Sequence, residues 1–249
     1  MINLNKKVAI VTGGSRGIGK AIVTFFAEAG ANVAFTYNSR KNYAEKLCSD
    51  LKKKTKVKSY KVNIISEQEV KSAVAKVRKE FGRVDILVNN AGIWKRAQVD
   101  KMSFDDWNET IQTNLTGAFL FTKYVVPIMK KNKFGRIINI TSTAGQRGEA
   151  FYSHYAASKG GLIAFTKSLA VELGRFNITV NDVAPGWVKT DMTKSVFKKS
   201  ENEEEILMEI PLRKVAVPKD IAGAVCFLAS DLASHITGST ISVNGGSVL

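Results

Sequence analysis

Short β-branched apolar runs alternate along the chain with longer amphipathic stretches. Residues 7–12 (KVAIVT) form an apolar run between charge and glycine, the pattern of a buried strand. Comparable runs occur at 32–37 (NVAFTY), 57–62 (VKSYKV), 84–88 (VDILV), 135–141, 177–183 (NITVNDV) and 239–243 (STISV), so about seven strands are expected. The intervening pattern predicts a helix ending near Gly30 and others over 41–54, 66–81, 104–132 and 155–173. Strands alternating with helices specify a parallel sheet with right-handed crossovers and helices on both faces. The expected fold class is therefore α/β, a Rossmann-type doubly wound parallel sheet. No repeat or linker interrupts it, so residues 1–249 read as a single domain. A break in composition at 190–210, where a Lys-rich piece meets Glu201 to Glu205, reads as a mobile lid. Within 104–132 the stretch AFLFTKYVV, just before Pro127, is apolar on more than one face, which a simple surface helix is not. That excess suggests subunit packing.

The first strand runs into GGSRGIGKAIVTFFAEAG, which places Gly13, Gly17 and Gly19 in a loop opening a helix. The spacing is G-x-x-x-G-x-G. Small residues at a helix N-terminus let backbone amides approach a pyrophosphate, so the strand–loop–helix points to a dinucleotide. In NAD-binding folds an acidic residue ending the second strand holds the ribose 2′-hydroxyl. Here Tyr37 stands there, followed by Asn38, Ser39, Arg40 and Lys41, with no carboxylate. Arg40, and Arg16 from the glycine loop, suit a 2′-phosphate, which favours NADP(H).

Candidate chemistry lies between Ile137 and Lys159. An apolar run ends in Thr141, Ser142 and Thr143, and after a Gly-containing loop come Tyr155 and Lys159. Four residues apart on a helix, this phenol and ammonium share a face, and a strand-end serine can meet it. A cation about 4 Å away at an effective dielectric of ~20 is worth about 4 kcal/mol, so Lys159 is expected to draw the Tyr155 pKa down by roughly three units. Tyr37 and Lys41 share the spacing, but only Tyr155 has the serine and the strand–loop–helix context.

Composition narrows the setting. The chain of 249 residues is 45% apolar with four prolines, as in an ordered globular protein. Cys48 and Cys226 form no disulfide framework, which suits a reducing compartment. No signal-peptide pattern and no run of about 18 apolar residues is present, so a cytoplasmic location without membrane attachment is expected. Asn108, Asn114, Asn139 and Asn177 match the glycosylation triplet only by accident on this reading. The net charge of +15 raises the question of nucleic acid, but no dedicated motif accompanies it, and a solvated face explains the lysines at 52–61. No metal site is expected.

Taken together, these motifs resemble the short-chain dehydrogenase/reductase family from Val8 to Gly246. The family's glycine loop appears as Thr12 to Gly19, its N-N-A-G element as Asn89 to Gly92, its P-G segment as Pro185-Gly186 followed by Thr190, and its terminal N-G-G as Asn244 to Gly246. The resemblance implies a catalytic set of Asn114, Ser142, Tyr155 and Lys159. Tyr155 would protonate the carbonyl oxygen, Ser142 would orient it, Lys159 would lower the Tyr pKa and bind the nicotinamide ribose, and Asn114 would fix a water beside Lys159. It also implies cofactor contacts at Gly13, Ser15, Arg16, Gly17, Ile18, Gly19, Asn38, Ser39, Arg40, Asn63, Ile64, Asn90, Ala91, Gly92, Tyr155, Lys159, Pro185, Gly186, Val188 and Thr190. Asn63 stands where the family usually has Asp, and its amide oxygen can still accept a bond from adenine.

Within the family the pattern is most similar to the beta-ketoacyl-ACP reductases. That implies NADPH-dependent reduction of 3-oxoacyl-ACP, with an acidic carrier docking near the site entrance on Lys130, Lys131, Lys133 and Arg175. Ile93-Trp94-Lys95-Arg96 departs from the usual I-T-R-[DE], and Trp94 and Trp187 suggest a cleft narrowed toward a small ketone, sugar or cyclic substrate. An NADP(H)-dependent reductase of another ketone, sugar or polyol is the alternative; a non-catalytic NADP(H)-binding scaffold is the alternative of another class. Family members pair the helices over 104–132 and 155–173, so a homotetramer is expected.

Overall fold

The computed structural model describes residues 2–198 and 200–249, apart from the side chains of 200–202. Its strands are β1 (Val8–Val11), β2 (Asn32–Tyr37), β3 (Val57–Lys61), β4 (Ile86–Asn89), β5 (Gly135–Ile140), β6 (Ile178–Pro185) and β7 (Thr240–Val243). They form one sheet in the order β3-β2-β1-β4-β5-β6-β7, and every pairing is parallel. The order reverses between β1 and β4, which opens a crevice at the carboxyl ends of the strands.

The two-residue period of a strand sorts the core into two layers. Ala9, Val11, Val33, Phe35, Ile86, Val88 and Ile138 face one side. There they meet α1 (Gly17–Glu28), α2 (Lys41–Leu51) and α9 (Pro218–Ala229), through Ile22, Phe26, Leu47, Ile221 and Val225. Val8, Ile10, Ala34, Leu87, Ile137 and Val180 face the other side. They cover α3 (Glu67–Phe81), α5 (Gly117–Asn132) and α7 (Ser153–Leu173), through Val70, Val74, Phe121, Val125 and Leu173. Both faces are dry over β1, β4, β5 and β6, as a parallel sheet requires, while the edge strands β3 and β7 are partly exposed. Among the described residues no helix is long and apolar enough to cross a membrane.

The segment expected to be one helix over 104–132 is three. α4 (Phe104–Ile111) passes through a π turn at Gln112–Thr116 into α5. The wider turn accommodates one extra residue, and it carries the buried Asn114. Three helices lie outside the sequence expectation. α9 opens with Pro218 in its first turn, and Asp220 Oδ2 accepts the Val217 N–H at 2.8 Å. The short α6 (Thr143–Arg147) falls where a loop was expected. α8 (Ser200–Glu209) falls within the expected lid. Ile206, Ile210 and Val215 form a small separate core there, packed by Trp187, Val196 and Phe197. Residue 199 and the side chain of Glu201, both part of the lid expectation, lie outside the described residues.

Candidate active site

A cleft of about 510 Å³ opens above the β1–β4 reversal. The glycine loop forms one wall. A Cβ on Gly19 would stand 2.2 Å from the Gly13 carbonyl oxygen, so the loop closes on itself only without a side chain there. Gly17 has φ +53°, and its Cβ would meet Thr190 on the facing wall at 3.6 Å. α1 begins at Arg16 with no side-chain cap and no acidic residue in its first turn, whereas Ser66, Ser103 and Ser142 cap α3, α4 and α6. Its first amides are left for an anion. Thr12 fixes the loop against the next strand. Its hydroxyl accepts the amides of Asn90 and Ala91 at 2.9 and 3.0 Å, and Asn90 Nδ2 donates to the Thr12 carbonyl at 2.8 Å.

Every cofactor residue inferred from sequence lines this cleft, from Gly13, Ser15, Ile18, Asn38, Ser39, Asn63 and Ile64 round to Pro185, Gly186, Val188 and Thr190. Arg16 pairs with Asp191 across the mouth at 3.7 Å, and the Arg40 guanidinium lies 5.6 Å from the Tyr43 ring. No acidic side chain follows β2 along this wall, where Asn38, Ser39 and Arg40 stand. The uncapped helix and the glycine cradle fit a dinucleotide.

At the other end stand Ser142, Tyr155 and Lys159. Ser142 caps α6, its Oγ accepting the Ala144 amide at 3.1 Å, and its hydroxyl favours the ionised form of Tyr155. Lys159 is buried and donates to the Ile140 carbonyl at 2.7 Å, with its ammonium 5.8 Å from the Tyr155 ring centroid. Asn114 lies behind the wall. Its Oδ1 accepts the Ile93 amide at 2.8 Å, and its Nδ2 donates to the Ile93 carbonyl at 3.0 Å and to Ser158 Oγ at 3.1 Å. The π turn sets this inward orientation.

The electrostatics correct the expected sign at Tyr155. Desolvation pushes the phenol up to about 12, opposed by the Ser142 hydrogen bond and reinforced by Glu149. Desolvation also brings Lys159 down to about 8, opposed by Asp182. The Lys159 ammonium donates to the Ile140 carbonyl, and burial is the largest influence on the phenol. The buried Asp182 beneath it escaped the sequence reading. It accepts the hydroxyls of Thr141 at 2.6 Å and Thr240 at 2.9 Å. Glu149 was missed as well, and Thr12, read only as the start of the glycine loop, was not assigned its hydrogen bonds to Asn90 and Ala91.

The depressed Lys159 has a stability consequence. In the folded protein its proton leaves near pH 8, against 10.5 for an ordinary lysine. Between those values the unfolded chain holds more protons, so stability rises with pH across this window and is lost as pH falls back through about 8. Lys159→Met is expected to lack this rise. Melting temperatures of the two proteins measured at several pH values across the window check it, and parallel curves would contradict it.

The four cations expected beside the entrance lie elsewhere. Lys130, Lys131 and Lys133 end α5, and Arg175 precedes β6, where Gly135 and Ile178 pair at the start of their strands. Ser142 follows the far end of the six-residue β5, so about 20 Å of strand separates them from it. The reason is topological: α5 runs antiparallel to the strands, and its last turn lies at their amino ends.

A family model described as enoyl-(acyl carrier protein) reductase matches residues 13–247. The acetoacetyl-CoA reductase of Shinella zoogloeoides is 45% identical over 96% of this chain and 98% of its own. The 3-oxoacyl-[acyl-carrier-protein] reductase FabG of Escherichia coli K12 is 43% identical over 98% of both chains. Among solved structures, gox2181 superposes with a TM-score of 0.95 at 35% identity, covering 99% of this chain and 97% of that one.

Proposed function

Because this chain belongs to the short-chain dehydrogenase/reductase family and is an oxidoreductase with a nicotinamide cofactor, we propose that it reduces 3-oxoacyl thioesters to 3-hydroxyacyl thioesters with NADPH. The observation that carries the reading is that Ser142, Tyr155 and Lys159 line one end of the cleft that the glycine loop walls at its other end. The names of the relatives, acetoacetyl-CoA and 3-oxoacyl-ACP reductases, supply the substrate class.

Gly13 to Gly19 would hold the diphosphate, Arg16 and Arg40 the 2′-phosphate, and Asn63 the adenine. Asn90 to Gly92, Pro185, Gly186, Val188 and Thr190 would flank the nicotinamide end. When bound, the reduced nicotinamide supplies a hydride to the carbonyl carbon. Ser142 and Tyr155 both donate to the carbonyl oxygen, stabilising its developing negative charge. Tyr155 then gives up its proton to that oxygen. A phenol pushed up to about 12 carries its proton throughout the neutral range. Lys159 stands behind the phenol as the group that replaces its proton, and Asn114 fixes the Ile93 backbone beside it.

The reading extends to a single-domain, cytoplasmic homotetramer with a lid at 190–210. Phe104, Trp107, Phe119 and Val171 leave apolar surface exposed on α4, α5 and α7, which supports packing between subunits. An acyl carrier docked on Lys130, Lys131, Lys133 and Arg175 would have to deliver its ketone across the length of the sheet or to a neighbouring subunit.

The test is NADPH consumption by the purified protein with acetoacetyl-ACP, acetoacetyl-CoA and a panel of simple ketones and polyols. Turnover of both thioesters is expected, with the carrier form preferred. Turnover of a simple ketone or polyol alone would replace the reading with the wider reductase one.

A further inference from the structure

Four aromatic rings from four separate stretches meet at the substrate end of the cleft. Trp94, after β4, lies flat on Tyr152, with centroids 4.4 Å apart and planes 2° from parallel. Trp94 also meets Trp187, after β6, at 5.8 Å and 89°. Trp187 in turn meets Phe197, in the turn before α8, at 5.9 Å and 80°. The indole nitrogen of Trp94 donates to Glu149 Oε2 at 3.4 Å. Trp94 is thus held through its face, through its contact with Trp187 and through its polar atom. Its backbone neighbour Ile93 is fixed by Asn114. Tyr152 precedes α7 and stands three residues before Tyr155, so this layer is tied to the catalytic helix.

Trp94, Trp187 and Glu149 line the same cleft as Ser142 and Tyr155. The rings are at contact distance in each pair, which leaves no gap for a methylene chain between them. The cleft of about 510 Å³ serves the dinucleotide and the ketone together. We propose that the aromatic layer anchored on Trp94 is an acyl-length filter: the enzyme takes four-carbon 3-oxoacyl thioesters and rejects chains of medium and greater length. This rests on the ketoacyl-reductase reading and sharpens it to a substrate class. A longer acyl group has to break a ring contact to be seated beside Tyr155.

The experiment is a ladder of 3-oxoacyl thioesters from four to ten carbons on one carrier, with kcat/KM measured for the wild type, Trp94→Ala and Trp94→Phe. In the wild type kcat/KM should fall at least about tenfold between four and eight carbons, the factor expected when the longer chain has to break a ring contact to enter. Trp94→Ala should bring that ratio within about threefold of unity, and Trp94→Phe should fall between the two. A flat wild-type ladder, or an undiminished fall in folded Trp94→Ala, overturns the filter. Should Trp94→Ala not fold, the wild-type ladder and Trp94→Phe decide. A flat ladder with good turnover sinks the filter alone, whereas no turnover at any length sinks the ketoacyl reading with it.

Discussion

Tyr155→Phe is expected to lower kcat by about a thousandfold or more, combining the loss of a general acid with that of an oxyanion donor. The phenyl ring keeps the volume of the side chain, so the cleft keeps its shape. What is lost is the hydroxyl that stands beside Ser142 in the cleft and carries the proton. The dissociation constant for NADPH should change by no more than about threefold, since most of the dinucleotide surface is contacted elsewhere. Single-turnover rates and fluorescence titration of NADPH separate the two effects. Wild-type turnover in this variant would remove Tyr155 from the chemistry, and loss of cofactor binding would make the residue a binding group.

The double variant Arg16→Ala/Arg40→Ala is expected to weaken NADPH about a hundredfold or more while changing NADH by less than about threefold. A hydrogen bond to a charged group contributes about 1.5–3 kcal/mol, and the two cofactors differ only in the phosphate these side chains would meet. Arg16 also pairs with Asp191, with both side chains about half exposed. Releasing that carboxylate to water costs little, so the pair does not mask the phosphate effect. Titration of both cofactors at fixed ionic strength is the check. Equal losses for NADPH and NADH would refute the phosphate assignment.

Sequence carried much of the fold because the inner strands are apolar runs closed by glycine or by a polar loop. The glycine loop was legible for a steric reason: Gly19 tolerates no side chain beside Gly13. Tyr155, Lys159 and Ser142 could be brought together by helical spacing and a strand end alone. The sign of the phenol's pKa could not. It depends on desolvation and on where the Lys159 ammonium is directed, and that partner is the backbone carbonyl of Ile140, which no side-chain pattern reveals. Asp182 was hidden for a related reason, since it sits in a β-branched run and shows its role only once Thr141 and Thr240 converge on it. The helix over 218–229 was readable from Pro218, Asp220 and the spacing of Ile221, Ala222, Val225 and Cys226, and it escaped notice. The cations at the end of α5 were misplaced because chain proximity to β5 does not say which end of the strand they adjoin.

The widened turn at Gln112–Thr116 ties the site to the length of this stretch. A one-residue deletion there would let the segment relax into an ordinary α-helix with the flanking turns still in phase, because the wide turn is what absorbs the extra residue. Leu120, Phe121 and Val125 would still face the sheet, whereas Asn114 would lose the turn that carries it. Substitutions can accumulate at its exposed positions, but a one-residue loss would keep the hydrophobic stripe and displace the carboxamide. Descendants of this sequence should therefore vary in composition here and keep the residue count constant.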